Sequence, residues 1–141
     1  MSDLLWQLRA METAELISKK DVSTREVIKN HLERLTEVNP KINAITRSLN
    51  DEAMEMAVLA DEKISRNEQI GPLHGVPVTI KDNVDITGQT SPNGVSKLKD
   101  NLAPANSPVV DNLLKAGAIP IGRTNTPEFS LRWHTGNLSL I

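Results

Sequence analysis

Two rhythms of apolar residues divide this chain. Up to about residue 66 they recur every three or four positions, the spacing of amphipathic helices; later they alternate or run together, the spacing of strands. Thr13 is placed to cap a short helix through about Lys20, with Leu16 and Ile17 as its apolar contacts. Ser23-Thr24-Arg25-Glu26 is a capping-box pattern, in which the serine and the glutamate each satisfy the other's free backbone N–H. Val27, Ile28, His31, Leu32 and Leu35 follow at helical spacing, and Asn39-Pro40 is expected to stop this second helix. Ile42 to Thr46 reads as a short strand. Asn50-Asp51 then opens a third helix to about Arg66, with Ala53, Ala57, Ala60 and Ile64 on one stripe and Met54 and Val58 beside it. Alanines on that stripe let the helix sit close to a neighbour.

The second half changes character at Gly71-Pro72-Leu73-His74-Gly75-Val76-Pro77-Val78-Thr79-Ile80-Lys81-Asp82-Asn83. Glycine and proline punctuate a turn, and Val76, Val78 and Ile80 then alternate with Pro77, Thr79 and Lys81 as in a strand. From Asp82 to Asn106 no period is sustained, and Gly88, Pro92, Gly94 and Pro104 interrupt the pattern. A stretch of that length without structure is either functional or disordered, and Thr87 to Gly94 is rich enough in donors to line a pocket or to be a solvated loop. Ser107-Pro108 predicts a helix start. Val109, Val110, Leu113 and Leu114 form its apolar face, and Gly117 is its stop. Ala118 to Ile121 reads as a buried strand closed by Gly122, and Thr126-Pro127-Glu128 as the start of a short helix to about Leu131. Strand, helix, strand is the logic of an α/β sheet.

Composition narrows the function classes. The apolar share is 38%, the charged share 24% and the net charge −2, which provides neither a basic footprint for nucleic acid nor a polybasic membrane anchor. No partner of either kind is expected. Cysteine is absent, which excludes disulfides, thiolate catalysis and cysteine-ligated zinc. The start of the chain lacks the basic, long apolar pattern of a signal peptide, no stretch approaches a membrane span, and the expectation is a soluble cytoplasmic protein.

Few residues invite chemistry. His31, His74 and His134 lie far apart, at no metal-ligand spacing, and His31 falls beside Leu32 and Leu35 as a half-buried helix residue. Asp82-Asn83-Val84-Asp85 lacks the glycine and terminal glutamate of a calcium loop. No phosphate-binding glycine loop and no G-x-S-x-G elbow is present; no cofactor is expected. Ser96-Lys97-Leu98-Lys99 matches the short S-x-x-K pattern but lacks its companion motifs. Lys81 is different. An ammonium group at the mouth of a buried strand is costly. Such a lysine either marks where the strand meets water, offset by Asp82, or serves as a neutral base or nucleophile.

The stretch Gly-Pro-Leu-His-Gly-Val-Pro-Val-Thr-Ile-Lys-Asp, residues 71–82, resembles the opening motif of the amidase signature family. Ala116-Gly117-Ala118-Ile119-Pro120-Ile121-Gly122-Arg123-Thr124-Asn125-Thr126-Pro127-Glu128-Phe129 resembles the family's next block in order and spacing. The resemblance implies an α/β/α layered fold around a mixed sheet. It further implies amide hydrolysis or transfer through a Ser–cis-Ser–Lys triad: a neutral lysine takes a proton through a bridging serine, a second serine attacks the carbonyl, and backbone N–H groups hold the oxyanion. Lys81 takes the position of the catalytic lysine. Asp82 falls in the family pattern as a residue that orders the loop, while Gly75, Pro77, Gly117, Gly122, Thr124 and Asn125 take turn and packing roles. The substrate would be a small-molecule amide.

One departure shapes the expectation. The family's two serines lie in glycine- and serine-rich stretches downstream of the second block, with a Gly-Gly-Ser-Ser-Gly-Gly stretch expected soon after His134; this chain contains nothing like it, and Ser130 and Ser139 are not surrounded by glycines. The expected organisation is one incomplete domain: a helical region over 1–70, the start of the signature core over 71–135, and a divergent end over 136–141. Such a chain is expected to be inactive alone, with sheet edges open to self-association. Two other readings remain open: a non-catalytic binding module derived from an amidase, and a Schiff-base enzyme with Lys81 as its nucleophile.

Overall fold

The structure, a computed structural model, describes residues 2–135. After a 3-10 stretch over Ser2–Gln7 come α1 (Ala10–Ser18), α2 (Thr24–Ile42), β1 (Ile45–Ser48), α3 (Asn50–Ser65), β2 (Pro77–Lys81), α4 (Pro108–Lys115) and β3 (Ile119–Thr124). The strands form one mixed sheet in the order β1-β3-β2. The central strand β3 runs antiparallel to β1 and parallel to β2. The β2-α4-β3 segment is therefore a crossover unit, as the alternation of patterns predicts.

The helices form where their caps and apolar faces dictate. Ser23 Oγ accepts from the Glu26 N–H at 3.2 Å, while Glu26 Oε2 accepts from the Ser23 N–H at 2.8 Å, so the box readable at Ser23 closes the start of α2. The alanine stripe of α3 does what small side chains allow. Ala53, Ala57 and Ala60 are buried against Ile28 and Leu32 of α2 and Ile119 and Ile121 of β3, in the main apolar cluster. A second cluster joins Leu5, Ile17 and Val27.

Several boundaries differ from the pattern-based expectation, because hydrogen bonds and strand pairing override the propensity of single residues. Thr13 lies inside α1, buried, with its hydroxyl donating to the Arg9 carbonyl; Arg9 and Glu12 close the helix start instead. Helix α2 continues past Pro40 to Ile42 and ends on Asn43 in the left-handed region. Asn39 holds that end, because its side-chain amide both accepts from the Ile45 N–H and donates to the Ile45 carbonyl, each at 2.9 Å. β1 accordingly starts at Ile45 rather than Ile42. β3 does not close at Gly122 but runs through it to Thr124, since both flanking strands pair with it there. A side chain at Gly122 would sit 2.7 Å from Ile45 Cγ2, so glycine permits the close approach of β1. The expected helix after Thr126 is a single 3-10 turn, Glu128–Ser130.

Gly117 is the hinge of the crossover. It follows α4 with φ +89°, and a Cβ there would lie 2.8 Å from His74 Cα. Its carbonyl accepts from the Gly75 N–H at 2.9 Å and the Ala116 carbonyl from the Leu73 N–H at 2.9 Å, which ties the Gly71–Gly75 turn to the start of β3. Gly117→Ala combines left-handed backbone strain with a backbone clash, and is expected to cost about 2–4 kcal/mol in urea unfolding. A loss below about 0.5 kcal/mol would mean that the turn shifts freely.

Candidate functional site

The sheet brings the chemistry-bearing residues to the carboxyl ends of β2 and β3. Lys81 closes β2 and stands opposite Thr124 in the parallel ladder. Its side chain is exposed. Within the described residues this strand reaches water at Lys81, and the enclosure that a neutral base requires is not supplied by them.

The next residue turns inward. Asp82 is 4% exposed and Arg123 0%, and Arg123 Nε donates to Asp82 Oδ1 at 3.2 Å. Thr46 Oγ1 donates to Asp82 Oδ2 at 2.8 Å, and the Asp82 N–H donates to the Thr124 carbonyl at 2.9 Å. Asp82 thus binds β1, β2 and β3 together directly behind Lys81. Burial lowers the Arg123 pKa from its ordinary value; Asp82 opposes the shift, and nearby Arg47 adds to it. Asp82 was legible as a loop-ordering residue, but its partner was not. The available signal was a lone cation in the apolar strand run, whose register partner Ile80 lies two residues before Asp82.

The stretch from Asp82 to Asn106, expected to lack structure, folds back on itself. The Gly88 N–H donates to the Ala103 carbonyl, the Ala103 N–H to Gln89, and the Ser91 N–H to Asn101, each at 2.9 Å. Arg47 of β1 anchors it by donating to Thr90 Oγ1 at 3.0 Å and Gln89 Oε1 at 3.1 Å. The donors of Thr87 to Gly94 are therefore partly spent on holding the loop. Beyond the sheet, Asn83 Nδ2 donates to Ser130 Oγ at 2.9 Å, and Ser130 Oγ shares a hydrogen with Thr126 Oγ1 at 3.0 Å. Neither neighbour is a base, so Ser130 has no activating group there. Ser139 lies outside the described residues.

The histidines stand apart from this site. His74 is buried, and its Nε2 donates to the Ala60 carbonyl at 3.1 Å. It lines a cleft of about 280 Å³ between α3 and α4 with Leu59, Arg66 and Leu114. His31 Nδ1 donates to the Val27 carbonyl at 2.9 Å, and burial pulls its pKa below the ordinary 6.5. Unfolding therefore takes up a proton on His31 as pH falls. Stability supported by its neutral form is fully present above the unfolded value of about 6.5 and is lost as pH falls below it toward the lowered folded value. Urea midpoints should decline over that window, and His31→Gln should flatten the decline; an unchanged slope would assign it elsewhere. Among the described residues, no group of three or more His, Asp or Glu gathers to hold a metal, and no helix is long and apolar enough to cross a membrane.

Comparison with known proteins converges on one family. The family model described as Amidase matches residues 26–140. The indoleacetamide hydrolase of Bradyrhizobium diazoefficiens is 48% identical over 133 residues, 94% of this chain and 25% of its own. The acylamidase of Rhodococcus erythropolis is 36% identical over 135 residues, 96% of this chain and 28% of its own. Among solved structures, fatty acid amide hydrolase superposes with a TM-score of 0.92 at 26% identity, over 99% of this chain and 25% of that one. A bacterial aryl acylamidase of the amidase signature family superposes at 0.82 with 30% identity, over 86% of this chain and 26% of that one. The chain spans about a quarter of the length of these relatives.

Proposed function

The chain belongs to the amidase family, and on that premise we propose that it is the lysine-bearing N-terminal part of a carboxamide hydrolase, with Lys81 as general base. The observation that supports this reading most is the placement of Lys81. It closes a strand beside β3 at the mouth of the sheet, directly ahead of a buried carboxylate clamped by Arg123 and Thr46. That clamp fixes the backbone from which the lysine projects, and preorganisation of this kind is what proton transfer requires. The exposed Lys81 would be enclosed by the remaining three-quarters of an amidase domain, which also carries the serines and the oxyanion donors. The 141 residues by themselves hold one group of the three and should not turn over carboxamides.

The test is a graft. Residues of this chain replace the matching 133 residues of the Bradyrhizobium protein, whose name gives indoleacetamide as its substrate. The expected result is a folded graft that hydrolyses indoleacetamide. A graft with native circular dichroism and no hydrolysis would contradict the reading and favour a binding module. Gel filtration of the 141-residue chain tests the related expectation that its open sheet edges associate: a concentration-dependent rise in mass is expected, and a monomer at all concentrations would overturn it.

A further inference from the structure

The parallel neighbours β2 and β3 end in two turns, and side chains tie these turns together. After β2, the Val84 N–H donates to the Lys81 carbonyl at 2.9 Å, closing a turn over residues 81–84. Asp82 anchors that turn to Arg123 and Thr46. Asn83, its other central residue, reaches out of it, and its Nδ2 donates to Ser130 Oγ at 2.9 Å. Ser130 Oγ lies 3.0 Å from Thr126 Oγ1, which donates to the Pro127 carbonyl at 3.2 Å. With each hydroxyl both accepting and donating, the hydrogens run from Asn83 through Ser130 and Thr126 to Pro127. The turn that receives this chain of bonds is strained. Phe129 and Ser130 are consecutive non-glycine residues at φ +49° and +59°, a region such residues rarely enter. Phe129 is 57% exposed, so core packing does not force the turn into that shape. It is held by the Phe129 N–H donating to the Asn93 carbonyl at 2.8 Å and by the Asn83–Ser130 bond. Backbone strain persists only where contacts impose it, and it gathers at functional sites.

We propose, on the reading of Lys81 as general base, that Asn83 and Ser130 are its positioning residues. The anchor at Asp82 fixes one point of the 81–84 turn but leaves the turn free to rock about that point. The second anchor, from Asn83 to the turn after β3, removes that freedom. Proton transfer is sensitive to such motion, since a displacement of about 1 Å at the reacting groups costs about 10²-fold in rate. Ser130 suits this role and not that of a nucleophile: its hydroxyl is held between an amide and another hydroxyl, with no base to take its proton. The Asn83–Ser130 bond is exposed in these 141 residues, where water competes for both partners and the bond adds little to stability. Its effect is on orientation.

In the graft, Ser130→Ala and Asn83→Ala should each lower kcat about 10–100-fold, with KM within about threefold of the parent. The double variant should fall no further than the worse single one, because both break the same bond. In a Lys81→Ala background the same substitutions should change kcat by less than about twofold, since no base is left to aim. Urea unfolding of the 141-residue chain separates folding from chemistry: Ser130 is exposed, and Ser130→Ala should leave the midpoint unchanged. If Asn83→Ala fails to fold, Ser130→Ala alone decides. The proposal is overturned by an active parent graft whose kcat stays within about threefold in Ser130→Ala. It is overturned equally by a loss of the same size with and without Lys81, which is a general loosening of the site. A folded parent graft without activity removes the amidase reading and the positioning role with it, whereas an active parent with silent variants removes the positioning role alone.

Discussion

Replacing Arg123 with methionine is expected to destabilise the fold by about 3–5 kcal/mol, because it leaves the Asp82 carboxylate buried without its cation. The two side chains are 0% and 5% exposed, so water cannot take over the role of the guanidinium. Thr46 Oγ1 would still donate to the acid, but a single hydroxyl dipole does not neutralise it. Arg123→Met combined with Asp82→Leu should recover a large part of the loss, since a buried pair replaced by apolar groups is often neutral while a broken pair is not. Urea unfolding of the two single variants and the double variant gives the coupling between the sites. A loss below about 1 kcal/mol for Arg123→Met, the range of exposed pairs, would mean that the interior opens to water there.

Removing the amine of Lys81 should have the largest effect on catalysis and almost none on folding. In the graft, Lys81→Ala is expected to lower the rate of indoleacetamide hydrolysis by about 10²–10⁴-fold, the usual contribution of a positioned general base. Lys81 is exposed in this chain, so truncating it in the 141-residue chain removes no core contact and should change the stability of that chain by no more than about 0.5 kcal/mol. Loss of rate with unchanged unfolding separates a chemical role from a structural one. A rate within about threefold of the parent graft would remove Lys81 from the proton-transfer step.

The parts of the fold legible in the sequence are those set by neighbours within a few residues. The Ser23–Glu26 box, the alanine stripe of α3, the alternation ending at Lys81 and the Ser107-Pro108 start of α4 are local patterns, and each element formed at or near its expected place. The misplaced boundaries depend on side-chain bonds and strand pairings that residue propensities do not show. Pro40 remains helical because Asn39 binds Ile45 across the following turn. Gly122 continues a strand because β1 needs its missing side chain. The loop after Asp82 gains order from Arg47, more than 40 residues earlier. The candidate site divides in the same way. Lys81 stood out through its motif, and Asp82 followed it as an ordering residue. Arg123 drew no notice, because a charged residue in a strand shows its purpose only when register brings an acid 41 positions away to its Nε.

Turnover of indoleacetamide by the graft decides whether these residues build the lysine-bearing part of an amide-hydrolysing site. The parent graft and its Lys81→Ala variant are assayed side by side at matched circular dichroism. Hydrolysis by the parent and its collapse in the variant are expected. Hydrolysis that survives the loss of Lys81 would contradict that reading of the site, as would a folded parent graft with no activity.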